Sequence, residues 1–223
     1  MLSNFLCILR VMKNLSCKHI AYEIRDPEVL LSPVVFSSPH SGRNYSKEFL
    51  KSIVLDNHEI RSSEDAYVDK LIEFITKMGA PLLIAKAPRA FIDLNRSSDE
   101  LDPSLIEGLR NCSQNSRVSA GLGVIPRVVS NSRSIYEGKL SRAEADLRIK
   151  KYWRPYHLAI CQLLGRAEQQ FGYSLLIDIH SMPHEAIYNL GRSQKGTPIV
   201  LGDRFGSSAL SLIHISEPTR HTR

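Results

Sequence analysis

Two short apolar stretches of the chain each end in a histidine that is followed by a serine. Residues 33–42 read Pro-Val-Val-Phe-Ser-Ser-Pro-His-Ser-Gly, and residues 174–183 read Ser-Leu-Leu-Ile-Asp-Ile-His-Ser-Met-Pro. Neutral imidazoles suit zinc and its neighbours, so His40 and His180 would make half of a metal site if they met. A carboxylate ligand and an open position would complete a catalytic site. The alternative for either histidine is a cap on the loop after a strand.

The two histidines can meet only if the elements that carry them are neighbours. The run of branched aliphatic residues before His180 predicts a strand buried on both faces, in the middle of a parallel sheet. Asp178 lies two residues before His180, so the two side chains point to the same side of that strand. Ligands of open α/β sheets bind at the carboxyl ends of the strands. We therefore expect His40, Asp178 and His180 at one edge of the sheet.

A carboxylate could come from the start of the next predicted helix. Ser63-Glu64-Asp65 is predicted to begin a helix that runs to about Met78, and Gly79-Ala80-Pro81 ends it. Its buried face is predicted from apolar residues at helical spacing: Val68, Leu71, Ile72, Ile75 and Met78. Either Glu64 or Asp65 could lie on the inward face, and simple N-terminal capping is the alternative.

A dense group of polar residues follows the strand predicted at 82–87. It contains Arg89, Asp93, Asn95 and Arg96, and Arg127 follows a glycine-containing stretch further along. An arginine can hold a carboxylate through two parallel hydrogen bonds, so Arg89, Arg96 and Arg127, with Asn95, are candidate contacts for a small anionic substrate. The alternative is an arginine that pairs with Asp93 or Asp99 and braces the loop.

Composition predicts an ordinary globular chain with one core. The chain has 223 residues, 43% of them hydrophobic and 23% charged. The formal charge of +6 comes from scattered basic residues, which does not favour nucleic acid as a partner. The four cysteines have no CxxC spacing, and no apolar run approaches the length of a membrane span. We expect a cytoplasmic protein without a membrane partner.

Eight motifs, in the family's order, resemble the N-formylglutamate amidohydrolase family. They are Ser-Pro-His-Ser-Gly (38–42), Glu-Asp-Ala-Tyr-Val-Asp (64–69), Pro-Arg-Ala-Phe-Ile-Asp-Leu-Asn-Arg (88–96), Glu-Leu-Asp-Pro (100–103), Gly-Leu-Gly-Val-Ile-Pro-Arg (121–127), Pro-Tyr-His (155–157), Ile-Asp-Ile-His-Ser-Met-Pro (177–183) and Gly-Asp-Arg-Phe-Gly (202–206). Each motif alone is a weak signal, whereas their occurrence together in this order is specific.

The resemblance implies an α/β fold, a three-layer sandwich with a mostly parallel central sheet, like the zinc peptidases and zinc-dependent muramoyl-alanine amidases. It implies a divalent metal, expected to be zinc, bound by His40, Asp65 and His180. Asp178 and Glu64 are expected next to these ligands, where they support them without binding the metal. The expected reaction converts N-formyl-L-glutamate to formate and L-glutamate, as in histidine catabolism. Another zinc amidase or a carboxypeptidase-like hydrolase on the same scaffold is the alternative.

The resemblance also divides the chain into three expected segments. Residues 1–18 are expected to be a disordered extension, 19–210 an amidohydrolase domain that is incomplete at its C-terminal end, and 211–223 a foreign-looking tail without family motifs. In this interpretation the family's late glutamate, the general base, is missing, so an inactive fragment that only binds metal or ligand is a second alternative. A serine hydrolase is a poor third because no GxSxG elbow surrounds Ser41 or Ser181.

Overall fold

An open sheet carries the two histidine motifs at the ends of neighbouring strands. The computed structural model describes residues 19–109, 115–183 and 199–202. In these ranges the sheet has four strands in the order β1-β3-β2-β4. The strands are β1 (Tyr22–Arg25), β2 (Val34–Ser38), β3 (Leu82–Ala85) and β4 (Leu175–Asp178). β2 is parallel to both β3 and β4, whereas β1 runs antiparallel to β3. The fold is therefore mixed α/β with a single open sheet.

Short helices and one long helix surround this sheet. The α-helices are α1 (Lys47–Lys51), α2 (Val68–Leu71), α3 (Ser116–Ser119), α4 (Arg142–Arg148) and α5 (Arg154–Phe171). Three 3-10 helices span Glu59–Ser63, Glu73–Met78 and Ser130–Ser132, and a π-helical turn, Ile149–Trp153, joins α4 to α5. No helix in the described ranges combines the length and apolarity needed to cross a membrane.

The chain separates into two units, Met1–Ser181 and Met182–Arg223. The sheet and all five α-helices described here belong to the first unit. In the second unit, residues 182–183 and 199–202 are described, and neither stretch forms a helix or strand. The predicted extension 1–18, the predicted tail 211–223 and the motif from residue 203 lie outside the described residues.

Strand β3 shows how the sheet is covered. Its four residues are all buried and alternate between two apolar clusters. Leu83 and Ala85 belong to the large cluster that includes residues of α5, and Leu82 and Ile84 belong to a smaller cluster with Val68, Ile72 and Ile75. Helical segments therefore bury both faces of this strand.

Strand β4 is an edge strand in the described part of the chain. It pairs with β2 in parallel, from Val34 opposite Leu175 to Ser37 opposite Asp178. Leu175 and Asp178 are exposed, so the prediction of a central strand buried on both faces is wrong there. A short apolar run cannot by itself distinguish a central strand from an edge strand. The expectation that β2 and β4 would be neighbours is confirmed.

The single helix predicted over 63–78 is interrupted. Tyr67 has a left-handed backbone, with φ of 61°, and only after it do α2 and the 3-10 helix Glu73–Met78 follow. Asp65 consequently precedes the first helical turn instead of lying within it. Leu71 and Met78, predicted to be buried, are 73% and 66% exposed. Met78 lies in the 3-10 helix, where about three residues per turn do not keep an apolar pattern of α-helical spacing on one face. Leu71 is the last residue of the four-residue α2, so the α-helical pattern ends there.

Candidate metal centre

The turn after β2 places His40 in the protein interior. The hydroxyl groups of Ser38 and Ser41 lie 2.8 Å apart across this turn and share a hydrogen bond. Gly42 packs directly on the neighbouring chain, because a Cβ atom there would lie 2.0 Å from the carbonyl oxygen of Ala87. This close approach of two backbone segments holds the turn against the sheet. His40 is only 3% exposed as a result.

Asp65 reaches the same place from the extended segment before α2. Its backbone N–H donates to the carbonyl oxygen of His40 over 3.1 Å, which ties the two segments together. Glu64 has an extended backbone with ψ of 142°, so the side chains of Glu64 and Asp65 point in opposite directions. Glu64 accepts a hydrogen bond from the Tyr45 hydroxyl at 2.6 Å. The structure therefore does not support the predicted role of Glu64 behind the metal ligands.

His180 arrives from the other side, just after β4. The N–H of Ile179 continues the pairing with β2 by donating to the carbonyl oxygen of Ser37 at 2.8 Å. The imidazole rings of His40 and His180 have their centroids 4.8 Å apart. The side chain of His180 is 32% exposed, against 4% for His40. The two histidines thus approach the same point from the surface and from the interior.

The three predicted ligands are brought together at this point. One ligand atom from each of His40, Asp65 and His180 lies within 4.8 Å of the other two. Oδ2 of Asp65 is 3.6 Å from Nδ1 of His40 and 2.9 Å from Nδ1 of His180. Tetrahedral zinc with bonds of about 2.0–2.2 Å separates its ligand atoms by roughly 3.3 Å. The buried Nδ1 of His40 has no hydrogen-bond partner, so its lone pair is available to a metal.

Asp93 completes the support of His40, and our sequence analysis did not assign it this role. Its Oδ1 lies 2.7 Å from Nε2 of His40, and the residue is 2% exposed. A carboxylate accepts, so Nε2 donates to it and the neutral ring keeps its lone pair on Nδ1, which faces Asp65. The polar density of 89–96 was the available signal, but it gave no reason to prefer this carboxylate over its neighbours.

Asn95 occupies the supporting position that we predicted for Asp178. Its side-chain Nδ2 lies 3.1 Å from Nε2 of His180, and its backbone N–H donates to Oδ1 of Asp93 at 2.9 Å. Both ring nitrogens of His180 therefore have partners, Asp65 and Asn95. Within the described ranges, no hydrogen bond or ion pair joins Asp178 to His180. The predicted contribution of Asp178 is thus not supported, because both nitrogens that it could contact are already used.

The three arginines predicted to bind substrate differ in what they contact. Nε of Arg89 donates to Asp93 at 3.0 Å, and Nε of Arg127 donates to Asp102 at 2.8 Å. Both aspartates are buried, so these two arginines brace loops. For Arg89 this is the alternative considered from the sequence, whereas the pair of Arg127 with Asp102 was not anticipated. Arg96 makes no side-chain hydrogen bond to any described residue, and the nearer of its two ion-pair contacts, with Asp93, is 3.9 Å long. Its side chain is 12% exposed, and burial lowers its pKa.

Electrostatics favour positive charge at the centre of this site. Burial alone would raise the pKa of Asp93, but His40 and Arg89 outweigh it and lower that pKa to about 2. Burial likewise opposes ionisation of Asp65, yet His180 and His40 hold its pKa below the usual range. Burial lowers the pKa of His40, but the nearby Asp65 and Asp93 carboxylates raise it above 6.5 overall. The same two carboxylates would stabilise a bound metal cation.

One family model and two curated bacterial proteins are similar to this chain. The family model for N-formylglutamate amidohydrolase matches residues 32–217, a range that includes the first part of the segment 211–223 set apart above. N-formylglutamate deformylases of Pseudomonas aeruginosa and Pseudomonas putida are each 31% identical to the chain, over 152 and 154 residues. Each alignment covers 67% of this chain and 52% of the relative. The chain therefore spans about half the length of these curated relatives.

Solved structures agree with the observed fold. The crystal structure of N-formylglutamate amidohydrolase from Ralstonia eutropha JMP134 is similar with a TM-score of 0.72 and 35% sequence identity, over 84% of this chain and 68% of that chain. A protein from Agrobacterium tumefaciens matches with a TM-score of 0.54 at 15% identity, over 73% of this chain and 56% of that chain. The second likeness concerns the fold alone. Neither comparison tests the predicted three-layer architecture or the likeness to zinc peptidases.

Proposed function

Because the chain belongs to the N-formylglutamate amidohydrolase family, we propose that it hydrolyses N-formyl-L-glutamate to formate and L-glutamate with the help of a divalent metal ion. The observation that supports metal dependence is the cluster of His40, Asp65 and His180, whose ligand atoms lie within 4.8 Å of one another. The names of the relatives and of the 35% identical structure support the substrate and the reaction.

In this proposal His40, Asp65 and His180 hold the metal ion, and zinc is the ion that their donor set fits best. Two imidazoles and one carboxylate are a common ligand set of catalytic zinc sites, which keep a fourth position open. A zinc ion held there would supply Lewis-acid polarisation of the formyl oxygen and a bound water with a pKa near 7. Asp93 keeps the His40 ring in the orientation and tautomer that point Nδ1 at the ion.

The substrate's negative charge is assigned to Arg96. Its guanidinium has no hydrogen bond to the described residues, whereas Arg89 and Arg127 already bind aspartates. A half-buried guanidinium with free N–H donors can hold a carboxylate through two parallel hydrogen bonds. Among the predicted contacts, Arg96 is therefore the one best suited to a small anionic substrate, and the other two arginines maintain the loops around it.

Neither of the two carboxylates at the centre, Asp65 and Asp93, acts as the general base. A general base works best with a pKa near the working pH. Asp65 and Asp93 have lowered pKa values and are hydrogen-bonded to histidines, so neither readily accepts a proton from water. In this proposal Asp65 binds the metal ion beside His180, Asp93 holds the His40 ring, and both carboxylates offset positive charge at the site.

Formate release from N-formyl-L-glutamate tests the proposal directly. The full chain is expressed, stripped with a chelator and reloaded with zinc. Formate is measured with N-formyl-L-glutamate, and glutamate release is measured both with this substrate and with N-acetyl-L-glutamate, which would yield acetate. We expect release that depends on zinc and disappears in His180→Ala. Zinc binding without formate release would contradict the proposed activity of this chain and agree with an inactive fragment. Equal hydrolysis of both substrates would instead indicate a less specific amidase.

A further inference from the structure

We propose that Trp153 and His157 are positioning residues that hold the loop 93–96 in place beside the candidate metal centre. These residues lie outside the predicted site and contact none of its three ligands in the described structure. The proposal depends on the proposed function in one respect only, since it takes His40, Asp65 and His180 as the metal ligands. It assigns a role to the π-helical turn Ile149–Trp153, which the mechanism above does not use.

Trp153 and His157 bind two carbonyl groups that flank Asn95. Nε1–H of Trp153 donates to the carbonyl oxygen of Arg96 at 2.8 Å. Nε2 of His157 lies 3.0 Å from the carbonyl oxygen of Leu94, and a carbonyl can only accept, so this nitrogen carries a proton. The two rings are stacked with their centroids 3.8 Å apart. Two N–H donors on one stacked platform therefore fix the backbone on both sides of Asn95.

The opposite side of the same loop contacts the histidines of the candidate metal centre. Asp93 accepts from Nε2 of His40 at 2.7 Å, and Asn95 reaches Nε2 of His180 at 3.1 Å. The Asn95 N–H also binds Asp93, so the loop supports both histidines as one piece. Any shift of this loop would alter the orientation of both rings. The hydrogen bonds from Trp153 and His157, on the other side of the loop, prevent such a shift.

The π-helical turn brings a third donor into line with the platform. Nη1 of Arg148, at the end of α4, donates to the carbonyl oxygen of Phe91 at 3.1 Å, just before the loop. Arg148 and Trp153 are five residues apart, so in a continuous α-helix of about 3.6 residues per turn they would point roughly 140° apart. The wider π turn between them restores the alignment. Pro155 favours this break because it has no N–H to donate to Lys151.

The test removes each N–H donor while it keeps the ring. Trp153→Phe and His157→Phe preserve aromatic packing but lose the hydrogen bonds to the loop. His157→Gln is the conservative variant, because its amide can still donate to the Leu94 carbonyl. Tyr156→Phe is the matched control. It removes a buried hydrogen bond of 2.6 Å to Ser37 from the same helical turn, and among the described residues Tyr156 makes no hydrogen bond to the loop 93–96.

Two measurements on the full chain separate positioning from general stability. In the metal-free protein, the amide exchange rate of Asn95 should rise at least about tenfold in the Trp153→Phe/His157→Phe double variant, because its loop loses both fixed carbonyls. Zinc affinity, measured by competition with a chromogenic chelator, should fall about tenfold. The exchange rate and the zinc affinity of His157→Gln should lie closer to those of wild type than to those of His157→Phe. Tyr156→Phe should lower the Tm and leave both readouts within about twofold of wild type.

An unchanged Asn95 exchange rate and zinc affinity in the double variant would overturn the proposal. Equal changes in Tyr156→Phe would also overturn it, because they would reflect a general loss of stability. The exchange rate is measured without metal or substrate, so it does not depend on the proposed activity. A wild-type chain that releases no formate would refute the proposed function and leave this positioning result standing.

Discussion

The two neighbouring strands that end in His-Ser present their histidines in different ways. β2 delivers His40 to the interior, where Asp93 holds Nε2 and the surrounding chain leaves 4% of the side chain exposed. β4, at the edge of the described sheet, delivers His180 with 32% of its side chain exposed. Similar local sequences thus produce one buried, preorganised imidazole and one more accessible imidazole. The difference arises from the packing around the strand ends, which the local sequence does not contain.

This contrast predicts different roles for the two histidines in stability and in metal binding. His40 belongs to a buried polar network, so its removal would take a hydrogen bond from Asp93 at a place where little water can replace it. His180 lies at the surface, where water can replace a lost partner at little cost. We therefore expect His40 to affect both folding and metal binding, and His180 to affect mainly metal binding. The predictions below test this difference, beginning with the largest effect.

Removal of each histidine should separate stability from metal affinity. His40→Ala and His180→Ala should each weaken zinc binding by well over about 100-fold, because each removes a proposed ligand. In the metal-free protein, His40→Ala should lower the free energy of unfolding by about 2–3 kcal/mol, since it removes a charge-assisted hydrogen bond from the buried Asp93 carboxylate. His180→Ala should cost less than about 1 kcal/mol. Chelator competition and urea unfolding measure the two quantities, and equal stability losses would contradict the contrast.

Loss of the Asp93 carboxylate should impair the interior ligand specifically. Asp93→Asn can present an N–H to His40, which favours the tautomer with its proton on Nδ1, so zinc affinity should fall by about 10- to 100-fold. Asp69→Asn is the matched control, because Asp69 is 5% exposed and binds Arg43 through two hydrogen bonds without contacting either histidine. If both variants weakened zinc binding equally, the support of His40 by Asp93 would not be specific.

Arg96 should affect substrate selection more than metal binding. Arg96→Gln should raise KM for N-formyl-L-glutamate about tenfold or more relative to a neutral N-formyl amino acid, because a charge-assisted hydrogen bond is lost. Zinc affinity should stay close to that of wild type. Arg127→Gln, which disrupts the contact with Asp102, should change KM for both substrates by the same factor. If Arg96→Gln raised KM for both substrates by the same factor, Arg96 would instead brace the loop.

The smallest expected effect is a pH dependence of metal-free stability. The pKa of His40 is raised above 6.5 in the folded protein, so its contribution is complete below pH 6.5 and is lost as pH rises through the raised value. The pKa of Asp93 is lowered from 3.8 to about 2, so its contribution is present above pH 3.8 and is lost as pH falls toward 2.

Urea unfolding across this pH range checks both changes. Stability from these two groups should be greatest between the ordinary pKa values of Asp93 and His40, 3.8 and 6.5. The decline at higher pH should disappear in His40→Ala. Its persistence in that variant would assign the decline to another group.

Local sequence patterns were sufficient to identify the two histidines but not their supports. An apolar run that breaks at a histidine is visible in the sequence, and the shared design of two such runs predicted adjacent strands, which β2 and β4 are. The selection of Asp65 came from the family resemblance. The helix expected to present it is interrupted at Tyr67, whose left-handed backbone no apolar pattern reveals.

The contacts that sequence analysis missed join distant parts of the chain. Asp93 is 53 residues from His40, and Asn95 is 85 residues from His180, so no local spacing could pair them. Pro155 disfavours a continuous α-helix, but the form of the break depends on the tertiary contacts of Arg148 and Trp153. The cytoplasmic location, the histidine-catabolism role and the predicted domain boundaries stay predictions.

Anomalous diffraction at the zinc edge, from crystals of the zinc-loaded chain, tests the central claim most directly. The account predicts one strong peak about 2.0–2.2 Å from Nδ1 of His40 and from a carboxylate oxygen of Asp65, with a nitrogen of His180 at a similar distance. Nε2 of His40 should remain hydrogen-bonded to Asp93. A zinc peak elsewhere on the chain, or zinc bound through Nε2 of His40, would contradict the account.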